Sequence, residues 1–312
     1  RSTQGVSSAA SDVYKRQVQD QGRFGYAHFG VSASGAADNF SLRIGNILVG
    51  NPKHCAGIEM TIIGDKYLFK SDTYIALTGS EFEAELDNEP IPFWQGCPIK
   101  NDQILDIRST KTGARCYLCV AGGINVEDVM GAKTTHLTSG MGGVHGRILK
   151  KQDELDFGSL DNSIKPVQEI NEPMTTDNEI IRVTKGRQWL WFHKNQKNKF
   201  FQHQYRVTDL SNRMGLRLKG NAINTKKESE IITAGIPLGA IQIPGDGQPI
   251  ISFVEHQTTG GYTIIANVIS ADFRKVGQLK PGDYFQFELT SFSKAEKLKV
   301  DQEKFIHSLH HD

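Results

Sequence analysis

PLGAIQIPGDGQPIISFVEHQTTGGYTIIANVISAD, residues Pro237–Asp272, sets short apolar runs between clusters of glycine, proline and polar side chains. The runs PIISFV and YTIIANVI are rich in β-branched and aromatic residues and end at turn formers, which is the signature of strands. Gln242, Asp246 and Gln248 surround a Pro-Gly-Asp-Gly turn, and Phe253-Val254 lead straight into Glu255-His256-Gln257-Thr258-Thr259-Gly260-Gly261-Tyr262. Two readings of the Thr-Thr-Gly-Gly segment are open. It aims successive amides and two hydroxyls at one anionic or carbonyl oxygen, or it is a tight hairpin whose glycines supply positive φ.

The same texture continues outward in both directions. TYIALTG (73–79), QILDIR (103–108), CYLCVAG (116–122) and DYFQFELT (283–290) are again short β-type runs bounded by Gly, Pro, Asn or Asp. A mainly β chain follows, with few helices. Phe40–Val49 is the clearest helix, with Phe40, Ile44, Ile47 and Leu48 on one face and Asp38 or Asn39 as N-cap. Ser41–Asn51 aligns with Ser211–Asn221, and Glu59–Gly64 echoes Glu230–Gly235, so a whole domain reads as duplicated. The expected layout is a non-native or disordered leader over 1–17, a first β domain over 18–160 and a linker over 161–178. A second β domain over 179–291 and a charged helix or tail over 292–312 complete it.

Composition narrows the function. A formal net charge of +1 argues against nucleic acid or an anionic membrane surface as partner. No apolar run reaches the length of a membrane helix. Cys55, Cys97, Cys116 and Cys119 form no framework, and residues three apart on a strand face opposite ways, so Cys116 and Cys119 should not converge and all four read as reduced structural thiols of a cytoplasmic protein. His28, His136, His145 and His256 lack metal-ligand spacing, and no metal is expected. There is no nucleophile elbow, Walker loop or HExxH motif. The Gly140–Gly146 run lacks the Lys-Ser/Thr of a phosphate cradle and reads as a turn.

Four motifs together resemble the biotin-dependent carboxyltransferase family, also described as allophanate hydrolase subunit 2 or the KipA family. They are GVSASGAAD (30–38) followed by SLRIGNILVGNP, then YLCVAGGINVEDVMGAKTTH (117–136), SNRMGLRLKG (211–220), and the stretch around Gln257–Tyr262. The resemblance runs from about Val18 to about Phe287. Two positions depart from the pattern: Glu255 stands where the family has Asp, and Thr263 where Pro is common. The longer Glu moves its carboxylate outward by one methylene, which matters for any role needing tight geometry.

The resemblance implies two tandem cyclophilin-like β-barrels and an enzyme subunit of an ATP-dependent 5-oxoprolinase complex, opening the lactam of 5-oxo-L-proline to glutamate. It implies KipI-like and LamB/YcsF-like partner subunits, with ATP bound by the complex and no activity in the isolated chain. Two other functions are compatible with the same family: carboxyl transfer from carboxybiotin to a urea- or amide-like nitrogen, and KipA-type regulation of a KipI-like kinase inhibitor. The chain has no Met-Lys biotin-attachment segment, so biotin would arrive on another protein. The candidate bases are Asp246 and Glu255, with Thr259 as an activating hydroxyl. Gln242, Gln248, Thr258, Gly260, Gly261 and Tyr262 are candidate substrate contacts. Arg213 is a candidate for a carboxylate or phosphate through its planar fork, or for an ion pair locking its own turn. Ser34 and Asp38 are candidate contacts from the first domain, where Asp38 also suits a helix cap.

Overall fold

The computed structural model describes residues 2–5, 16–158, 170, 180–226 and 230–309. The leader between 6 and 15 and the linker, apart from Ile170, lie outside the described residues. The chain divides into two compact units, the first comprising 1–23, 34–175 and 306–312, the second 24–33 and 176–305. The mainly β fold read from the sequence is the fold the chain adopts.

The first unit contains strands β1 (Ser2–Gly5), β2 (Arg16–Gln19), β3 (Gly57–Thr61), β4 (Lys66–Phe69), β5 (Thr73–Gly79) and β6 (Phe82–Leu86). They are followed by β7 (Glu89–Pro90), β8 (Gly96–Ile99), β9 (Ile104–Thr110), β10 (Arg115–Val120), β11 (Ile124–Asn125) and β12 (Glu154–Phe157). One sheet runs β11-β12-β1-β4-β9-β6-β7 and the other β2-β3-β10-β5-β8. Both line one core, in which Ile58 and Met60 of β3, Leu77 of β5 and Leu118 of β10 meet Phe69, Phe82 and Leu105 of the facing sheet. Strand alternation separates the two cysteines of β10 as expected: Cys116 enters this core, while Cys119 turns to the carbonyl of Leu42. All four thiols are free.

Helix α1 (Asn39–Leu48) forms where the apolar spacing places it, and Asp38 caps it by accepting from Ser41 N at 3.1 Å. Its burial is not one-sided. Every residue from Phe40 to Leu48 is buried, including Arg43 and Asn46, so no face of the helix is left to solvent. Asn46 satisfies its side chain on the Cys55 carbonyl at 2.8 Å.

The second unit contains β13 (Ile180–Lys185), β14 (Gln204–Val207), β15 (Gly215–Lys219), β16 (Glu230–Gly235), β17 (Ala240–Ile243), β18 (Ile250–Ser252), β19 (Thr259–Val268) and β20 (Tyr284–Leu289). The order β13-β20-β14-β15-β18-β17-β19 returns on itself through a β13–β19 pairing, closing a seven-stranded barrel. The long strand β19 makes this possible: its C-terminal half pairs with β13 and β17, while its N-terminal half carries β16 as an outer strand. Phe285 and Phe287 point inward from β20, and helix α2 (Lys194–Gln202) covers them with Phe200, whose ring stacks on Phe287 at 4.6 Å. Helices α3 (Phe273–Gln278) and α4 (Phe292–Ser308) follow.

Of the two aligned stretches of the repeat, Glu59–Gly64 and Glu230–Gly235 both begin in strands, β3 and β16, while the other pair adopts different elements. Ser41–Leu48 is helical, whereas its aligned counterpart is the turn and strand leading through β15. The difference lies in local pattern. The first copy has a cap and helical spacing; the second alternates buried Leu216 and Leu218 with exposed Arg217 and Lys219, which is a strand. Among the described residues no helix is long and apolar enough to cross a membrane.

Candidate functional site

In the second unit the pairing Gly215↔Ser252 between β15 and β18 brings two motifs together, the turn 211–215 and the segment 253–256. Phe253 N donates to the Met214 carbonyl at 3.1 Å and Glu255 N to the Arg213 carbonyl at 2.8 Å. The side chains repeat the tie, with Arg213 Nε on Glu255 Oε1 at 2.5 Å and both residues buried. Arg213 and Glu255, 42 positions apart, thus form one locked unit. A charge-assisted bond of this kind in a low-dielectric setting rigidifies both turns.

The remaining candidates sort by what their side chains already hold. Asp246 accepts from Gln248 N at 3.0 Å within its own turn, an Asx-type arrangement. The Gln248 side chain grips Gly220 at both backbone atoms, accepting at 2.9 Å and donating at 3.2 Å. These two residues build the loop. Gln242 differs: Ser252 Oγ donates to its Oε1 at 3.4 Å, and its amide nitrogen makes no hydrogen bond among the described residues although the side chain is buried. The hydroxyls of Thr258, Thr259 and Tyr262 are likewise unengaged among the described residues.

Strand register divides this second group. Gln242 lies across from Ile264, and Tyr262 is two residues along from Ile264, so Gln242 and Tyr262 share one face of the sheet. Gly260 has the same parity, Thr259 and Gly261 have the opposite one, and Thr258 lies in the bend before the strand. Thr259 therefore faces away from Gln242 and Tyr262. Ile236, Ala240 and Ile264 form a small apolar cluster on the shared face. The glycines serve neither a hairpin nor a positive φ. They open β19, and a Cβ on Gly260 would lie 2.7 Å from Ile236 Cδ1, one on Gly261 only 2.4 Å from the Ile231 carbonyl oxygen of β16. Their use is close approach of the outer strand.

His256, read from the sequence as an ordinary polar histidine, is half-buried with Nδ1 2.8 Å from the Gln257 carbonyl oxygen. Burial pushes its pKa below the usual histidine value, partly countered by that carbonyl, so the ring is neutral near pH 7.

In the first unit Ser34 donates to the Thr135 carbonyl at 3.0 Å, and Gly35 N donates to Thr134 Oγ1 at 2.9 Å. Residues 34–38 and the segment GAKTTH are thereby interlocked. Asp38 caps α1, while its own N–H donates to Tyr117 Oη at 2.7 Å, and that hydroxyl donates to Glu59 Oε2 at 2.8 Å. Glu59 is buried and also accepts from Ala37 N. Burial raises the Tyr117 hydroxyl well above its ordinary pKa, with the Glu59 and Asp38 carboxylates adding to the effect. Asp38 and Ser34 are thus committed to backbone and network contacts.

A polar cavity of about 330 Å³ in this unit was not legible in the sequence. Its lining includes Asp20, His54, Cys55, Asp128 and Lys133, drawn from separate segments of the chain. Burial raises the Cys55 pKa and the nearby Lys133 ammonium opposes that rise. Among the described residues no three His, Cys, Asp or Glu side chains are grouped as a metal site.

Comparison with known proteins matches the carboxyltransferase domain, subdomain A and B, over residues 29–289. The chain is 36% identical to a 5-oxoprolinase subunit of Escherichia coli (strain K12) over 294 residues, covering 94% of each protein. It is 33% identical to the corresponding 5-oxoprolinase subunit of Haemophilus influenzae, covering 95% of each. Among solved structures, the Kluyveromyces lactis urea carboxylase superposes with a TM-score of 0.91 at 31% identity, covering 99% of this chain and 29% of that one.

Proposed function

The chain belongs to the family of carboxyltransferase domains built from subdomains A and B, and on that premise we propose that it is one subunit of an ATP-dependent complex that opens the lactam of 5-oxo-L-proline to glutamate. The observation that carries this reading is the end-to-end match: 94% of this chain covers 94% of a bacterial 5-oxoprolinase subunit. The urea carboxylase likeness is instead to 29% of a longer polypeptide. ATP is assigned to the complex, since this chain has no Walker loop. KipI-like and LamB/YcsF-like proteins are the proposed partners.

Lactam opening needs a substrate held by its amide and a stabilised charge on the amide oxygen. Phosphoryl transfer from ATP to that oxygen releases ADP and makes the carbon electrophilic. Water then adds to the carbon and the C–N bond breaks, leaving the free amine and an acyl phosphate, which a second water hydrolyses to carboxylate and inorganic phosphate. For this chain's part, the unengaged Gln242 amide and the Tyr262 hydroxyl on the same face, with the Thr258 hydroxyl just before the strand, supply donors to the oxygen. The Arg213–Glu255 pair fixes the segment that leads into them. Thr259 and the Gly260 and Gly261 amides stand as secondary candidates on the strand's N-terminal half.

The test is ATP-dependent glutamate formation by the chain reconstituted with its partner subunits. Gln242→Ala is expected to lower turnover by on the order of 10²–10³, the usual loss for one such donor, with an unchanged thermal melt. Wild-type turnover in that variant removes Gln242 from the site. A second reading, carboxyl transfer from a carboxybiotin held on another protein, is favoured by the superposition on urea carboxylase. Biotin-dependent turnover without glutamate formation would select it.

A further inference from the structure

Residues 185–226 carry ten Lys and Arg side chains against a single carboxylate, Asp209, although the whole chain has a formal net charge of only +1. The excess is concentrated in three dimensions as well. A short 3-10 turn, Trp189–Trp191, follows β13, and its indole collects ammonium groups. Lys197 Nζ of α2 lies 4.6 Å from the Trp189 ring centroid and Lys185 Nζ of β13 lies 5.9 Å from it. Lys226 is held to the same turn by its backbone N–H, which donates to the Trp191 carbonyl at 2.8 Å. None of these three lysines forms an ion pair among the described residues, whereas Lys66, Lys100, Lys111 and Lys299 each do. Desolvation, and then repulsion from Lys226 and Lys185, pulls the Lys197 pKa below the usual lysine value. Like charges gathered without a counter-charge among the described residues are unfavourable for the free chain and favourable for anything anionic that covers them.

The second observation identifies what covers them. Leu190, at the centre of this turn, is 79% exposed, beside half-buried Trp189 and Trp191. A small anion would neutralise the lysines and leave Leu190 in water. A protein face with an apolar recess and an acidic rim satisfies both, and an aromatic or aliphatic anchor inside a charged rim is the usual anatomy of a protein interface.

We infer that the Trp189–Trp191 turn, rimmed by Lys185, Lys197 and Lys226, is the surface on which an acidic face of a partner subunit docks. This rests on the reading of the chain as one member of a multi-subunit enzyme. Leu190 is the anchor, and the lysines steer the encounter and fix its register.

The test titrates the purified chain with the purified KipI-like partner by calorimetry at low and at physiological salt. Two variants accompany the wild type, Lys197→Glu with Lys226→Glu, and Leu190→Asp, each checked by thermal melt. The charge reversal is expected to weaken binding roughly tenfold or more and to flatten its salt dependence. Leu190→Asp should weaken it at least about tenfold and, adding one negative charge where the double reversal changes four, flatten the salt slope less. Wild-type affinity in both variants overturns the docking surface and leaves the reading of the chain as part of a complex standing. No binding by the wild-type chain overturns both. A parallel titration with inorganic triphosphate covers the remaining occupant. Micromolar binding that the charge reversal abolishes, with partner affinity unaffected by Leu190→Asp, makes the cluster a small-anion site and overturns the inference.

Discussion

Replacing Glu255 by Gln tests the tie between the two motifs of the second unit. The substitution keeps size and a hydrogen-bond acceptor but removes the charge opposite Arg213. The pair is 2.5 Å long and its side chains are 10% and 3% exposed, so solvent cannot take over the role of the lost carboxylate. Breaking a buried pair from one side typically costs about 3 kcal/mol or more, because the surviving charge stays buried. For a unit of this size that is a fall in Tm of roughly 12 °C, at about 4 °C per kcal/mol. Differential scanning calorimetry on Glu255→Gln, on Arg213→Met with Glu255→Leu, and on the wild type reads it directly. The double replacement removes both charges, and buried pairs exchanged for apolar side chains are commonly neutral or better in stability. It should therefore recover most of the melting temperature while the reconstituted complex stays impaired. A Glu255→Gln melt within about 2 °C of wild type refutes the argument, because the pair would then contribute nothing net.

Other outcomes follow from the same geometry. Tyr117→Phe deletes the hydroxyl that joins Asp38 N to Glu59, leaving buried groups short of a partner, and should cost about 1–3 kcal/mol in denaturant unfolding. Gly261→Ala must push against the Ile231 carbonyl 2.4 Å from its new Cβ and should destabilise by about 1–3 kcal/mol, whereas Gly235→Ala, with open space around it, should be nearly silent in the same assay. Asp153 is held below the usual carboxylate pKa by its two hydrogen bonds to Arg147, at 2.6 and 2.8 Å. A depressed carboxylate stabilises above its unfolded pKa near 4 and loses that contribution as pH falls through the lower folded value. Asp153→Asn should accordingly flatten the acid limb of a stability–pH profile and leave a lower plateau at neutral pH.

The β character, the Asp38-capped helix and the opposed faces of Cys116 and Cys119 were legible because each depends on local periodicity: alternation along a strand, or a cap before helical spacing. The family was legible because its motifs are contiguous stretches. One stretch of the repeat was misleading for the same reason, since Ser41–Asn51 and Ser211–Asn221 share residue types while their apolar spacing, which selects helix or strand, differs.

Partners across the chain were not legible, because nothing local encodes register. Only β15–β18 pairing puts Arg213 against Glu255, and only β17–β19 pairing puts Gln242 and Tyr262 on one face with Thr259 on the other. Asp246, Gln248, Ser34 and Asp38 looked as available for a ligand as Gln242. Their commitment to backbone groups shows only once the chain has folded around them. Composition and local pattern by themselves determined a β-rich chain near neutral charge; the tertiary structure decided which polar side chains are consumed in holding it and which remain for another molecule. The physical reason is that a polar group's availability depends on what else is buried beside it, and long-range pairing alone sets that.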